Sequence, residues 1–103
     1  MERGIYMNGT GIREDVIKEI IALAKKYAIT KVILFGSRAR GDYHRASDID
    51  LAVYGGDVTS FSLDVEEYTS TLLTYDVIDM NKKHQVGLVE SIEKEGKIIY
   101  EKI

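Results

Sequence analysis

The sequence predicts an α/β (α+β) domain in which a small mixed β-sheet of three or four strands packs with helices, in the order αβαβαβα. Short apolar runs typical of strands occur at 31–35, 48–54 and 75–80, and segments with helical spacing lie between them. A length of 103 residues suits one domain, and 45% hydrophobic with 30% charged residues is typical of a globular protein. We therefore expect a single domain over 1–103, with 1–10 as a loose lead-in.

The first helix is predicted to begin at Ile12 and to run to Tyr27, with Thr10 as its candidate N-cap. Its apolar residues recur at helical spacing, and acidic residues in the first turn and lysines in the last complement the helix dipole. Lys31–Phe35 follows as a β-branched strand with the composition of a strand buried on both faces. It ends at Gly36.

The next segment is polar and leads into a second strand. A helical turn is predicted over 37–41, a polar loop over 42–47, and a strand over 48–54. Alternation along this strand separates two faces, one with Ile49, Leu51 and Val53 and the other with Asp48, Asp50 and Ala52. We expect this strand and the preceding one to lie side by side.

The second half of the chain predicts a helix over 61–73, a strand over 75–80, a helix over 86–95 and a short extended tail over 97–103. Gly96 is predicted to stop the last helix. The apolar stripe of the 61–73 helix is predicted to be Phe61, Val65, Tyr68, Leu72 and Leu73. For the 86–95 helix the residues at helical spacing are Val86, Val89, Glu90 and Glu93.

Composition excludes several kinds of function. The absence of cysteine excludes disulfides, thiolate metal sites and cysteine nucleophiles. Residues 1–15 have no apolar core of a secretory signal, and no apolar run approaches the roughly 20 residues of a membrane helix, so we expect a cytoplasmic protein without membrane contact. A net charge of −3 without a basic stretch disfavours long nucleic acid as the main ligand and leaves a small nucleotide compatible.

Asp48 and Asp50 are the first candidate site residues. Two residues apart on a strand, they point to the same side, where their like charges raise each other's pKa. A shared cation relieves that repulsion, and carboxylate oxygens suit a hard ion such as Mg²⁺.

Gly36 and Ser37 form the second candidate, a tight turn after a buried strand whose N–H groups and hydroxyl suit phosphate. Arg38, Arg40 and Arg45 lie in the same loop and are candidates to meet polyphosphate charge. Each motif alone is most often a simple turn or a solvated strand face. Their order on strand, loop and strand is what favours a nucleotide and metal site.

GSRARG followed by SDIDLAV is similar to the minimal nucleotidyltransferase family, within the superfamily that includes DNA polymerase β and kanamycin nucleotidyltransferase. The resemblance covers nearly the whole chain. It implies that Gly36 and Ser37 hold the phosphates of ATP and that Asp48 and Asp50 bind metal, with two Mg²⁺ ions expected.

The same resemblance implies a third carboxylate on the next strand, which completes the metal site and activates the acceptor hydroxyl. Asp76 fits the family's pattern of an acid among hydrophobic residues better than Asp79, and Asp79 stays open as the alternative. A strand places the two on opposite faces, so only one of them can join the site.

The family resemblance implies a Mg²⁺-dependent enzyme that transfers AMP from ATP to a tyrosine of a small helical HEPN-domain toxin, which makes this chain the antitoxin. Two alternatives stay open: nucleotidyl transfer to a small molecule, and a non-catalytic antitoxin that acts by binding alone. Exposed Ile and Tyr residues near the end of the chain also suggest a homo-oligomer. His44 and His84 are predicted to have no catalytic role.

Overall fold

The computed structural model describes residues 6–103, which form a four-stranded mixed sheet, a two-stranded ribbon and four helices. In chain order the elements are β1 Tyr6–Met7, β2 Ile12–Arg13, α1 Glu14–Lys26, β3 Lys31–Phe35, α2 Gly36–Arg40, β4 Ile49–Tyr54, α3 Val58–Tyr68, β5 Tyr75–Asp79, α4 Val86–Glu95 and β6 Lys97–Glu101. The predicted fold class is confirmed. None of the helices within 6–103 is long and apolar enough to span a bilayer.

The sheet has the strand order β5-β4-β3-β6. β3 pairs antiparallel with β4 and β6, whereas β4 and β5 are parallel. The expected pairing of the two strands that flank the polar loop is confirmed, with Lys31 opposite Tyr54 and Phe35 opposite Asp50. The predicted extended tail forms β6, which covers the other edge of β3.

The two faces of the sheet are covered unequally. On one face α1 and α3 pack on the strands through Val16, Ile20, Phe61 and Val65, against Val32, Leu34, Ile49, Leu51 and Val53. On the other face Ile92 of α4 packs on Ile33 and Ala52. The predicted alternation of the second strand is therefore confirmed, and Asp50 lies on the face that α4 covers only in part.

The segment before α1 differs from the prediction. Residues 1–5 of the expected lead-in lie outside the described part of the chain, and Tyr6–Met7 pairs with Ile12–Arg13 as an antiparallel ribbon. Thr10 is not the N-cap, because α1 begins at Glu14. Its hydroxyl instead donates to the Met7 carbonyl at 2.8 Å and accepts from the Ile12 N–H at 3.2 Å, which closes the turn of the ribbon.

The predicted helix over 61–73 was wrong at both ends. α3 begins at Val58 because the Asp57 carboxylate caps it, accepting from the Ser60 N–H at 3.1 Å. It ends at Tyr68, and the next turn is held instead by α1, since Glu19 accepts from the Ser70 N–H at 2.7 Å. Phe61 and Val65 of the predicted stripe are buried, whereas Tyr68 and Leu72 are exposed.

α4 has the predicted bounds but not the predicted stripe. Ile92 is its buried residue, and Val86 is 72% exposed. Gly96 ends the helix with φ −70°, so left-handed backbone is not the reason for a glycine here. A Cβ at this position would lie 2.3 Å from Cγ2 of Ile33 and 2.4 Å from the Ile92 carbonyl oxygen, so close packing excludes a side chain.

Candidate active site

Three acidic residues share one face of the sheet where the parallel strands β4 and β5 begin. Asp50 is paired with Asp76 across these strands, and the same register places Asp48 beside Thr74. Since side chains two apart on a strand lie on one face, Asp48, Asp50 and Asp76 are neighbours. The structure brings together the three acids that the sequence singled out.

The pKa of Asp50 is raised by its burial and by its position among these acids. Burial, followed by the negative charges of Asp76 and Asp48, raises the pKa of Asp50 from 3.8 to about 6. The positive charges of Arg40 and Arg38 act in the opposite direction and do not cancel the effect. An additional positive charge at this face would therefore stabilise the ionised cluster.

Gly36 lies directly against this cluster. It begins α2 with φ +73°, a conformation that favours glycine. A Cβ built on Gly36 would lie 2.2 Å from Oδ2 of Asp50, so any side chain would occupy the space of the carboxylate. The glycine turn and the acids therefore share one edge of the sheet, as predicted.

Ser37 and Arg40 lie on the short helix α2 that follows the turn. Within residues 6–103 the Ser37 hydroxyl makes no hydrogen bond, and it stays available to a ligand. Arg40 is exposed, and its guanidinium donates to Asp42 and to Glu95 of α4, both at 3.3 Å. Glu95 thus holds Arg40 beside the site, although exposed ion pairs of this kind contribute little to stability.

Arg38 has a different environment from the one expected of a phosphate ligand. It is 2% exposed, and its guanidinium donates to the carbonyl oxygens of Thr10, Arg45 and Ser47. The ring of Tyr43 covers it at 4.7 Å. Its predicted role in nucleotide binding stays untested, and the observed contacts of its guanidinium are with the polar loop and the turn of the ribbon.

The two candidate third carboxylates lie on opposite faces of β5. Asp76 is the partner of Asp50, whereas Asp79 is the partner of Val53, a residue of the core beneath α1 and α3. Oδ1 of Asp79 accepts from the Asn81 N–H at 2.9 Å and belongs to the following turn. Geometry therefore favours Asp76, which remains a prediction as a catalytic residue.

The donor set suits Mg²⁺ in its chemistry. It consists of carboxylate oxygens without nitrogen or sulfur donors, and the repulsion at Asp50 is what a cation would relieve. As the side chains stand, no group of three His, Cys, Asp or Glu residues within 6–103 closes around one point. The Asp48 carboxylate accepts a hydrogen bond from the Thr74 hydroxyl, which fixes the carboxylate toward β5.

Two residues at the site were missed from the sequence, Thr74 and Glu95. Thr74 precedes β5 as Asp48 precedes β4, and two parallel strands that begin at one edge bring such residues together. The register was not readable from the sequence, so this signal could not be used. The histidines lie elsewhere: His44 is exposed in the loop, and the His84 ring contacts the Asp79 carbonyl at 2.7 Å.

Comparison with known sequences gives a family match over most of the chain. The family described as "Polymerase beta, Nucleotidyltransferase" matches residues 18–103. A protein of Methanocaldococcus jannaschii named "Putative protein adenylyltransferase MJ0604" is 39% identical over 99 aligned positions, covering 84% of this chain and 97% of that protein. A second protein of the same organism, "Putative protein adenylyltransferase MJ1379", is 36% identical over 90 positions, covering 82% of this chain and 90% of that protein.

Comparison with solved structures gives the same architecture. A crystal structure described as a toxin–antitoxin with AMP-PNP matches with a TM-score of 0.68 and 24% identity, over 82% of this chain and 73% of that one. A mutant of the toxin–antitoxin MntA–HpeT matches with a TM-score of 0.64 and 22% identity, over the same shares. At these identities the matches establish the fold.

Proposed function

This chain belongs to the polymerase beta nucleotidyltransferase family, and we propose that it transfers AMP from ATP to a tyrosine hydroxyl of a small helical HEPN-domain toxin. The observation that carries the proposal is the face shared by Asp48, Asp50 and Asp76 against the Gly36 turn. The relatives named as protein adenylyltransferases support a protein as the acceptor. A cytoplasmic location and the antitoxin role belong to the same proposal.

Each residue has a defined task in this reaction. Gly36 lets the triphosphate approach the backbone, and the Ser37 hydroxyl with the first N–H groups of α2 donates to its oxygens. Arg40 binds phosphate charge in exchange for its contacts with Asp42 and Glu95. Asp48, Asp50 and Asp76 would hold two Mg²⁺ ions, which when bound neutralise charge on the triphosphate and lower the pKa of the acceptor hydroxyl.

The transfer reaction needs only ATP and the acceptor hydroxyl as reactants. The acceptor oxygen attacks the α-phosphorus in line, the bond from that phosphorus to the bridging oxygen breaks, and pyrophosphate leaves. The proton of the acceptor hydroxyl passes to the Asp76 carboxylate, which lies beside Asp50 on the same face.

The test uses ATP labelled at the α-phosphate, Mg²⁺, this chain and, as the proposed partner, the product of the neighbouring gene. We expect label on the partner, its loss when the acceptor tyrosine is changed to phenylalanine, and its loss in Asp48→Asn and Asp50→Asn. A stable complex that forms without label, and that is unaffected by both variants, would favour an antitoxin acting by contact alone. Label found only on an added small molecule such as an aminoglycoside would favour the other alternative.

The third carboxylate is tested by a matched pair on one strand. Asp76→Asn removes an acid from the face of Asp50, whereas Asp79→Asn changes the opposite face and keeps an acceptor for the Asn81 N–H. We expect the rate to fall by about 100-fold or more in Asp76→Asn, as for loss of a general base, and to stay near wild type in Asp79→Asn. The reverse result would give the role to Asp79.

A further inference from the structure

Arg38 is the largest fully buried side chain of the described part of the chain and the only charged one among its buried residues. Burial of a guanidinium is costly unless its donors are satisfied. Here Nε donates to the Ser47 carbonyl at 2.9 Å, Nη1 to the Thr10 carbonyl at 2.9 Å and Nη2 to the Arg45 carbonyl at 3.1 Å. Two of these bonds reach the polar loop that follows α2, and the third reaches a turn 28 residues earlier in the chain.

We propose that Arg38 is a positioning residue that sets Asp48 for metal binding, rather than a ligand of the nucleotide. The proposal rests on the metal-binding role of Asp48 in the proposed function. Arg38 holds the carbonyl of Ser47, the residue directly before Asp48, so the guanidinium fixes the backbone from which the carboxylate projects. A planar guanidinium presents its donors from separate nitrogens in a rigid fork and so holds two carbonyls of one loop in a fixed geometry, whereas the rotating donors of a single ammonium nitrogen do not impose that geometry.

Asp48 is fixed from the other side by β5. The Ile49 N–H donates to the Thr74 carbonyl at 2.9 Å, and the Thr74 hydroxyl donates to Oδ1 of Asp48. The loop before it closes on itself, since the His44 N–H donates to the Ser47 hydroxyl oxygen at 2.8 Å. Asp48 therefore lies between one anchor at Arg38 and another at Thr74.

The third carbonyl that Arg38 binds, that of Thr10, connects the amino-terminal ribbon with the loop before Asp48. Thr10 lies in the turn between β1 and β2, outside the range 18–103 that matches the family. Tyr43 packs on the same turn, because a Cβ at Gly11 would lie 2.6 Å from the ring atom Cε2. The ribbon and the Tyr43 ring thus enclose the guanidinium that holds the Asp48 loop.

The test separates metal binding from phosphate binding in the chain alone. Arg38→Lys keeps the charge and loses the fork. We expect its Mn²⁺ affinity, measured by the electron paramagnetic resonance of free Mn²⁺, to fall by about 10-fold, as for loss of a group that orients a metal ligand. ATP affinity in EDTA is expected to stay within about two-fold of wild type, because Gly36, Ser37 and Arg40 keep their places. His44→Ala, an exposed change in the same loop, is the control and is expected to keep both affinities.

Two results would overturn the proposal. An equal loss of ATP affinity in EDTA would make Arg38 a phosphate ligand, and unchanged Mn²⁺ affinity in folded Arg38→Lys would remove any role in setting Asp48. If Arg38→Lys does not fold, Tyr43→Leu decides in the same way, since the Tyr43 ring covers the guanidinium and is itself only partly buried. Wild-type protein that binds Mn²⁺ yet never labels a partner would instead contradict the proposed function.

Discussion

At the scale of single residues, Asp50 shows the cost of assembling the site. Burial and the charges of Asp76 and Asp48 all disfavour its ionised form. In the unfolded chain Asp76 is distant, water surrounds Asp48 and Asp50, and the Asp50 carboxyl has an ordinary pKa. The folded protein therefore holds the proton of Asp50 more tightly than the unfolded chain does.

This difference predicts how stability depends on pH in metal-free protein. The pKa of about 6 in the folded protein lies above the ordinary value of 3.8, so the stability that this proton contributes is fully present below pH 3.8 and is lost as the pH rises through 6. Asp50→Asn removes both the cost of burying this charge and the repulsion from Asp76 and Asp48. We expect it to raise the free energy of unfolding in EDTA by about 1 kcal/mol at pH 7.5, after allowance for solvent screening, and by much less at pH 4.

Urea unfolding at both pH values, with Asp79→Asn as the matched control on the other face, measures this difference. A variant that is less stable than wild type at pH 7.5 would show that the Asp50 carboxylate is held by favourable contacts instead of being repelled by its neighbours.

Gly36 carries a second prediction at this scale. Gly36→Ala forces left-handed backbone on an alanine and places its Cβ against Oδ2 of Asp50. We expect a loss of about 1–3 kcal/mol in stability and loss of Mn²⁺ binding as the carboxylate is displaced. Gly87→Ala is the control, because nothing lies within 4 Å of a Cβ there, and it is expected to be neutral or slightly stabilising. Unchanged Mn²⁺ affinity in Gly36→Ala would contradict the close approach seen here.

At the scale of elements, the strands could be predicted because composition and alternation alone determine them. β3 and β4 follow the predicted bounds within one residue, and the acids lie on the predicted face. The ends of α3 could not be predicted in the same way, because a distant residue, Glu19, binds the Ser70 N–H and ends the helical path. Propensity within the segment contains no information about that contact.

The placement of the candidate site residues could be predicted where it depends on motif and chain order, but not where it depends on strand register. Gly36, Asp48 and Asp50 follow from the sequence alone, since they flank one loop between adjacent strands. The pairing of Asp50 with Asp76 depends on the parallel register of β4 and β5. Burial of Arg38 depends on the ribbon, whose carbonyl at Thr10 comes from a segment with no periodic pattern.

The cap of α3 gives a prediction at the scale of elements. Asp57→Ala removes the acceptor of the Ser60 N–H and hydroxyl, so we expect a loss of about 1 kcal/mol in the free energy of unfolding. Thr59→Ala, an exposed change in the same turn, is expected to have little effect. Urea unfolding of both variants measures the difference. A similar loss in both would mean that side-chain capping does not determine where α3 begins.

At the scale of the whole molecule, one face of the sheet forms the hydrophobic core and the other carries the candidate site. The face beneath α1 and α3 is continuous apolar core, whereas the other face carries both α4 and the acids. Clustered acids reduce the stability of the empty protein and increase the affinity for a bound cation. Stability therefore depends on whether the site is occupied, and bound ligand can change which of two variants is the more stable.

This dependence predicts that wild type and Asp50→Asn exchange their order of melting temperature between ligand-free and ligand-bound conditions. In EDTA we expect Asp50→Asn to melt at a higher temperature than wild type at pH 7.5, since the repulsion at Asp50 is absent. With Mg²⁺ and ATP at about 100 times the dissociation constant, wild type gains roughly 2.7 kcal/mol by mass action, which shifts Tm of a domain of this size by about 10 °C. Asp50→Asn lacks one of the proposed metal ligands and is expected to gain far less, so we expect the order of the two melting temperatures to reverse. Calorimetry of both proteins in both conditions measures the two gains in melting temperature. Equal gains would mean that Asp50 takes no part in binding metal and nucleotide. A reversal would show that the residue which destabilises the ligand-free protein is the one that holds the ligand.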